Sequence, residues 1–407
     1  MFCYELKKVL SKVSSRIALV VLLTALLIVS FLAITSVSYT KSDGSSVSGT
    51  SAADSLRQEK EKWTGYITED VLRQVITENT AVNQSPEYQS DNVTDNNIAY
   101  SRKQGFSDIR ELINMAFSGF QDYDYYRVDS VTADEVGELY GKRVENLREW
   151  LYSDEISDTF TESEKQYLIQ EYEKMDTPLY YTYADGWKAL LEYAPTLIML
   201  TVLVTGFLVS GIFPGEFSLK ADSVYFSSRY GRNRGVRAKI AAGFCLQTAL
   251  YWTTMLLYTG IVLFSLGAEG GECAVQTWLG GWKSFYNITL FQDYALTLIG
   301  GYAGELFILS LSMLISAKTR SAVLASALPF IVLFVPSILS SVNVLSKLLG
   351  LLPDQLLQIS TVINTFNLYQ IGGIVMGAVP LLFVLYPVLF VLMLPGTYFV
   401  YSKAEIK

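Results

Sequence analysis

The charges of this chain are gathered into one stretch, and their placement governs what the chain can fold into. Of its 39 acidic and 31 basic residues, 29 and 15 fall between Lys41 and Lys188, which gives that stretch a net charge of minus 14. The flanking regions hold the remaining 10 acidic and 16 basic groups, spread so thinly that long runs carry none. A helix rises about 1.5 Å per residue and the hydrocarbon core is about 30 Å thick, so roughly 20 consecutive apolar residues cross it. Six segments meet that length: Ile17 to Ser38, Leu190 to Phe213, Ile240 to Leu266, Tyr294 to Ser316, Ala322 to Ser340 and Val379 to Tyr401. The expected fold is an α-helical polytopic membrane protein of six transmembrane helices, with a mainly helical extracytoplasmic domain between helices one and two. Residues 1–39 then hold an amphipathic helix and the first span, 40–188 the acidic domain, and 189–407 the other five spans.

Lys7, Lys8, Lys12 and Arg16 precede the first apolar segment as in a signal peptide. Its uninterrupted run exceeds the usual 7–15 residues, so it reads as a retained anchor. Six spans put both termini on one side. The short loops of that side hold 14 Lys and Arg: four in residues 1–16, six from Lys220 to Lys239, then Lys318, Arg320, Lys403 and Lys407. The opposite short loops hold only Lys283 and Lys347. Positive charge marks the cytoplasmic side, so the expected location is the plasma membrane with both termini inside and residues 40–188 outside.

Histidine is absent, which excludes hydrolases built on an imidazole acid or base. Cys3, Cys245 and Cys273 fall in an inner segment, a span and an outer loop, where no intrachain disulfide is expected. The adjacent carboxylates Asp134-Glu135 and Asp154-Glu155 point in different directions on a helix and read as solvated surface, so neither a catalytic nor a metal site is expected.

Within the acidic domain, Val136, Leu139, Tyr140, Val144, Leu147 and Leu151 recur at helical spacing. A second helix follows Thr161-Glu-Ser-Glu164, a capping-box pattern. Shorter helices are expected over Val71–Ile76 and Ile109–Phe117, and the polar stretches Lys41–Ala53 and Asn79–Asn97 read as linkers or loops. Two tyrosine clusters, at Tyr123 to Tyr126 and Tyr180 to Tyr183, are compatible with a recognition surface, but the expectation is domain core and an interfacial belt before Trp187.

Phe2, Leu6, Val9, Leu10 and Val13 share one face of an N-terminal helix, with Lys7, Lys8 and Lys12 away from it, as in a helix lying on anionic membrane lipid. After the second span, Pro214 and Gly215 stop the helix and Glu216 sits where a carboxylate favours a new one. Phe217, Ala221 and Val224 follow at i, i+4 and i+7, an apolar face suited to a partner's groove. A basic run from Arg229 to Lys239 ends this loop of residues 214–239.

With these features the chain resembles the permease subunits of ABC transporters, the type-2 exporter class. The resemblance rests on the N-terminal helix, the glutamate after span two and the Arg-x6-Lys pattern from Arg232 to Lys239. It covers the spans and leaves the outer domain unmatched. It implies that Glu216, Phe217, Lys220, Ala221, Val224, Arg229, Arg232 and Lys239 couple the chain to cytoplasmic ABC ATPase subunits. It also implies a second permease subunit, as homodimer or heterodimer. Residues 342–378, leucine-rich and broken by Pro353 and Asp354, match the family's outer re-entrant helices.

No G-x-x-x-x-G-K-[ST] run occurs in the sequence, so ATP and Mg are expected in a partner polypeptide and this chain is not expected to be an enzyme. Nucleic acid is not an expected partner. Glu305 lies mid-span, where a charge costs about 2.5–3.5 kcal/mol, so it should line a substrate path or make an interhelical hydrogen bond. Gly300 and Gly304 allow close helix approach, as at a subunit interface, and Gly373 and Gly377 repeat the spacing. The resemblance implies export of an amphipathic substrate, such as an antimicrobial peptide, a lipid or a drug. The competing reading is a non-transporting signalling or mechanotransmission protein acting through its outer domain.

Overall fold

The computed structural model describes residues 1–339 and 346–403. Ser340, Val342, Leu345 and Lys407, which the sequence reading used, lie outside the described residues. Helix α1 (Phe2–Leu10) breaks at Ser11 and leads into α2 (Val13–Ser36), which has no charged residue beyond Arg16. A short antiparallel ribbon, β1 (Ser38–Thr40) with β2 (Ser46–Ser48), then opens the acidic insert.

The insert is helical, as its periodicity predicts. Its helices are α3 (Thr50–Glu61), α4 (Glu69–Asn83), α5 (Val93–Ser101), α6 (Ser107–Phe117), α7 (Leu139–Leu151) and α8 (Glu162–Glu173). A two-residue pairing of β3 (Gly65–Tyr66) with β4 (Tyr180–Tyr181) closes it. Ile109, Leu112, Ile113 and Ala116 of α6 are fully buried against Leu72 and Val75 of α4 and Leu139 of α7. Thr161 and Glu164 form the predicted capping box. The two polar stretches expected as loops are so only in part: 41–49 and 84–92 are turns and ribbon, while 50–53, 79–83 and 93–97 are helical. Gly49, at φ +77°, turns the chain into α3, whose Ala52, Ala53, Leu56 and Lys60 face inward. Asn92 caps α5 by accepting from the Thr94 N–H. In both stretches a cap or turn residue starts a helix that polar composition conceals.

Past the insert come α9 (Asp185–Ser210), the short α10 (Gly215–Ser218) and α11 (Asp222–Ser227), and α12 (Val236–Leu266). Then follow α13 (Leu290–Thr319), α14 (Ala322–Leu339), the single turns α15 (Ser346–Leu349) and α16 (Ile359–Val362), and a hairpin of β5 (Leu368–Ile371) and β6 (Ile374–Gly377). The last helix is α17 (Ala378–Ser402). Among the described residues five helices, α2, α9, α12, α13 and α17, are long and apolar enough to cross a membrane, and α14 offers a shorter apolar stretch, Ala322–Pro336. α9 and α13 occupy the centre, with Ala194, Leu197 and Ile198 sealed against Tyr251, Met255 and Tyr258 of α12. Outward faces stay bare, including Val20, Leu23 and Leu27 of α2 and Val384, Val388 and Val391 of α17. Apolar surface of that breadth is stable only in hydrocarbon. The chain is a mostly helical, multi-pass membrane protein.

Residues 346–377 pack into the bundle. Leu356, Leu357 and Ile359 are fully buried against α13. They rest on the two glycines assigned above to a subunit interface: a Cβ on Gly300 would meet Ile359 Cγ1 at 2.6 Å, and one on Gly304 would meet Leu357 Cδ2 at 2.9 Å. The close approach is made within the chain. Gly373 is likewise no helix contact. With Gly372 it takes positive φ and forms the turn of the β5–β6 hairpin, the geometry that glycine pairs favour.

The insert is fastened to this end of the bundle. Buried Arg143 of α7 donates to the Trp282 and Ser284 carbonyls at 3.1 and 2.7 Å, with its guanidinium 3.7 Å above the Tyr172 ring. Tyr183 Oη donates to the Leu266 carbonyl at 2.8 Å. Lys347 bonds Glu164 at 3.0 Å. Gly300→Val would drive a branched side chain into Ile359 and the Leu356 carbonyl, an overpacking cost of about 1–3 kcal/mol. The expected result is a lower unfolding temperature in micelles, with no change for Gly260→Val, whose position meets open space.

Candidate functional site

At the opposite end of the bundle, the segment after α9 folds as an elbow. The sequence suggests one amphipathic helix from Glu216 to Phe226, and the structure corrects this. α10 lasts one turn, Lys220 adopts a left-handed φ of +53°, and α11 starts afresh at Asp222. Phe217, Ala221 and Val224 therefore do not form one stripe. Phe217 turns inward, its ring 5.8 Å from Phe226 and 6.1 Å from Tyr401, with the Arg320 guanidinium 4.5 Å above it. Ala221 is half-buried, while Val224 and Leu219 are 73% and 70% exposed. A π turn at Gly231–Gly235 then feeds α12. Lys220 and Arg229 face solvent, and Arg232 donates to the Ser402 carbonyl at 2.7 Å.

The elbow is held by a buried ion network. Lys239, on the first turn of α12, is 0% exposed. Its ammonium donates to Glu216 Oε2 at 2.8 Å, to the Ile212 carbonyl at 2.8 Å and to Glu5 Oε2 at 3.2 Å. Lys8 of α1 reaches Glu216 Oε1 at 2.6 Å, and Tyr401 Oη donates to Glu216 Oε2 at 3.3 Å. Glu216 and Lys239, read from sequence as docking residues, are thus internal fasteners. Lys8, expected among lipid headgroups, belongs to the same network. Glu5, Lys8 and Tyr401 are contributions that sequence reasoning missed, because no local spacing links them to Glu216. Burial acts to raise the Glu216 pKa, but Lys239 and Lys8 outweigh it and hold the carboxyl below its ordinary 4.5. The stabilisation from Glu216 is therefore complete above that value and disappears as pH falls through the lowered one.

A second network sits where the insert meets α9. Lys60 of α3, 3% exposed, reaches Asp108 at 2.9 Å and Asp185 at 2.7 Å, and Lys188 reaches Asp108 at 2.7 Å. Desolvation opposes both charges. The two lysines nevertheless hold the Asp108 carboxyl well below its usual range, and the two aspartates hold Lys60 well above its own. The Asp185-Lys188 spacing was the one local hint of this cluster.

Glu305 lies midway along α13, 1% exposed. The Thr205 hydroxyl of α9 donates to its Oε1 at 2.6 Å, so the interhelical hydrogen bond considered above is present. Gln247 of α12 is buried and interacts with Glu305, and Thr297 and Ser312 are further buried polar groups on α13. A polar face thus runs along α13 inside the bundle.

The remaining sequence candidates stay apart. Asp134 is 95% exposed on its side chain. Cys3 and Cys245 are exposed and Cys273 is buried, and all three are free thiols. Among the described residues no group of three metal-ligating side chains converges.

Lys239→Met would strand Glu5 and leave Glu216 with Lys8 and Tyr401, a loss of about 3 kcal/mol. Lys8→Met, at a side chain 23% exposed, should cost less than about 1 kcal/mol. Thermal unfolding in micelles distinguishes the two, and equal stabilities would contradict the network. No family model, no curated protein and no solved structure matches this chain.

Proposed function

We propose that this chain is the membrane subunit of an ATP-driven exporter of the ABC type-2 class. Six spans, with α14 as the fifth, put both termini and the elbow in the cytoplasm and the acidic insert outside. Fourteen basic residues in the short loops of one side, against two on the other, support this orientation. Separate ATPase subunits bind ATP and Mg and dock on the elbow, and a second permease subunit completes the pathway. The amphipathic substrate, such as an antimicrobial peptide, a lipid or a drug, moves outward as the ATPases close.

The observation that carries the reading is the elbow's construction. A protruding apolar tip, Leu219 and Val224, stands on a base locked by Lys239, Glu216 and Lys8. A tip that transmits force needs such a base, because a mobile loop would absorb the motion. The docking role therefore passes from Phe217 to Leu219 and Val224.

One observation favours the second reading, a non-transporting mechanotransmitter. α9 joins the Asp185 network to the elbow without interruption, so motion at the tip has a direct route to the insert. Both readings require the ATPase. Purification from the native cell in mild detergent should retain an ATPase with the parent chain and lose it with the Leu219→Asp, Val224→Asp double variant. Full retention by the double variant would sink the docking assignment. Substrate efflux from vesicles carrying the complex separates transport from transmission.

A further inference from the structure

The insert is strongly acidic, yet two cations are buried together inside it. A cleft of about 510 Å³ opens between the chain around Tyr88 and helices α5 and α6. Tyr88, Tyr100, Tyr125 and Tyr126 wall it. Tyr100, Tyr125 and Tyr126 keep 42%, 41% and 62% of their surface exposed, so the 123–126 cluster is not the domain core expected of it. The cluster at Tyr181 and Tyr183 is buried, as expected.

Lys103 and Arg110, each 4% exposed, also line the cleft. The Lys103 ammonium lies 4.5 Å above the Tyr88 ring and donates to Asn83 Oδ1, an amide rather than a carboxylate. The nearby Asp129 carboxylate accepts instead from Asn79 and Asn83, at 2.8 and 2.7 Å. Arg110 donates through Nη2 to the Tyr125 carbonyl at 3.0 Å, and its Nη1 lies 3.6 Å from Glu111. Its Nε is buried and without a partner. Asp91 stands exposed at the rim. Desolvation and the charge of Arg110 push Lys103 down to about 8, with Asp129 pulling the other way. Like charges buried together are costly until a counter-charge joins them.

We propose that this cleft binds an organic carboxylate carried on an aromatic body. Its carboxylate pairs with the Lys103 ammonium in the field of the buried Arg110 guanidinium, and its ring packs among the tyrosines. A carboxylate suits an ammonium whose one side-chain acceptor among the described residues is an amide. Tyrosine faces favour a flat apolar partner. The net charge of minus 14 on the insert selects a monoanion over a phosphate dianion. The cleft has the size of a small-molecule site. It is separate from the elbow, so it stands or falls independently of the transport reading.

The test is calorimetric titration of the full chain in micelles with N-acetyl-phenylalanine and with its uncharged analogue, N-acetyl-phenylalaninamide. The carboxylate is expected to bind at least about tenfold more tightly than the amide. Lys103→Gln should lower that affinity at least tenfold and Lys103→Arg should retain it. Equal binding of the two probes, binding of neither, competition by equimolar inorganic phosphate, or unchanged affinity in both Lys103→Gln and Arg110→Gln would overturn the proposal. Thermal unfolding of each ligand-free variant separates a lost site from a lost fold. Should Arg110→Gln fail to fold, the Lys103 pair carries the result.

Discussion

A lysine with no access to solvent must be surrounded by acceptors, and this structure meets that demand at both ends of one central helix. At one end Lys60 gathers Asp108 and Asp185, and at the other Lys239 gathers Glu5, Glu216 and the Ile212 carbonyl. Apolar packing within a membrane has no strong preference among registers, since lipid tails are as apolar as the helices they contact. The ion networks do have a preference. Each loses several kcal/mol when its buried lysine is removed, so they fix where α1, α3, α6 and α12 sit relative to α9.

The legibility of the sequence followed the range of the interactions. Runs such as Ile17–Ser38 reported the spans because hydrocarbon thickness acts on about 20 consecutive residues. The capping box at Thr161 was equally visible, since its two partners are three residues apart. The elbow was only half legible. Its position followed from Pro214 and the basic run, but the left-handed Lys220 that breaks it carries no side-chain signal of positive φ. Glu216 looked like a docking residue because Lys8, one of its two cations, lies in α1, 208 residues earlier in the chain, as does Glu5, which shares Lys239 with it.

Tyrosine showed the same limit. The pattern at 123–126 resembles that at 180–183, yet one cluster lines a cleft and the other is core. Neighbouring Arg110 and Lys103 make the difference, and they come from another helix and the turn before it. Composition found the acidic insert as a whole and could not find two cations buried within it. The glycines of α13 were noticed for their spacing, while their partner proved to be residues 353–359 of the same chain.

Those glycines give α13 a different kind of joint from the pinned ends of α9. Among the described residues no hydrogen bond links α13 to residues 346–377, and the contact is bare backbone against Leu356, Leu357 and Ile359. Shape alone makes this joint: Leu356, Leu357 and Ile359 seat their side chains in the gaps at Gly300 and Gly304 and hold by close fit, where the ends of α9 hold by buried charge.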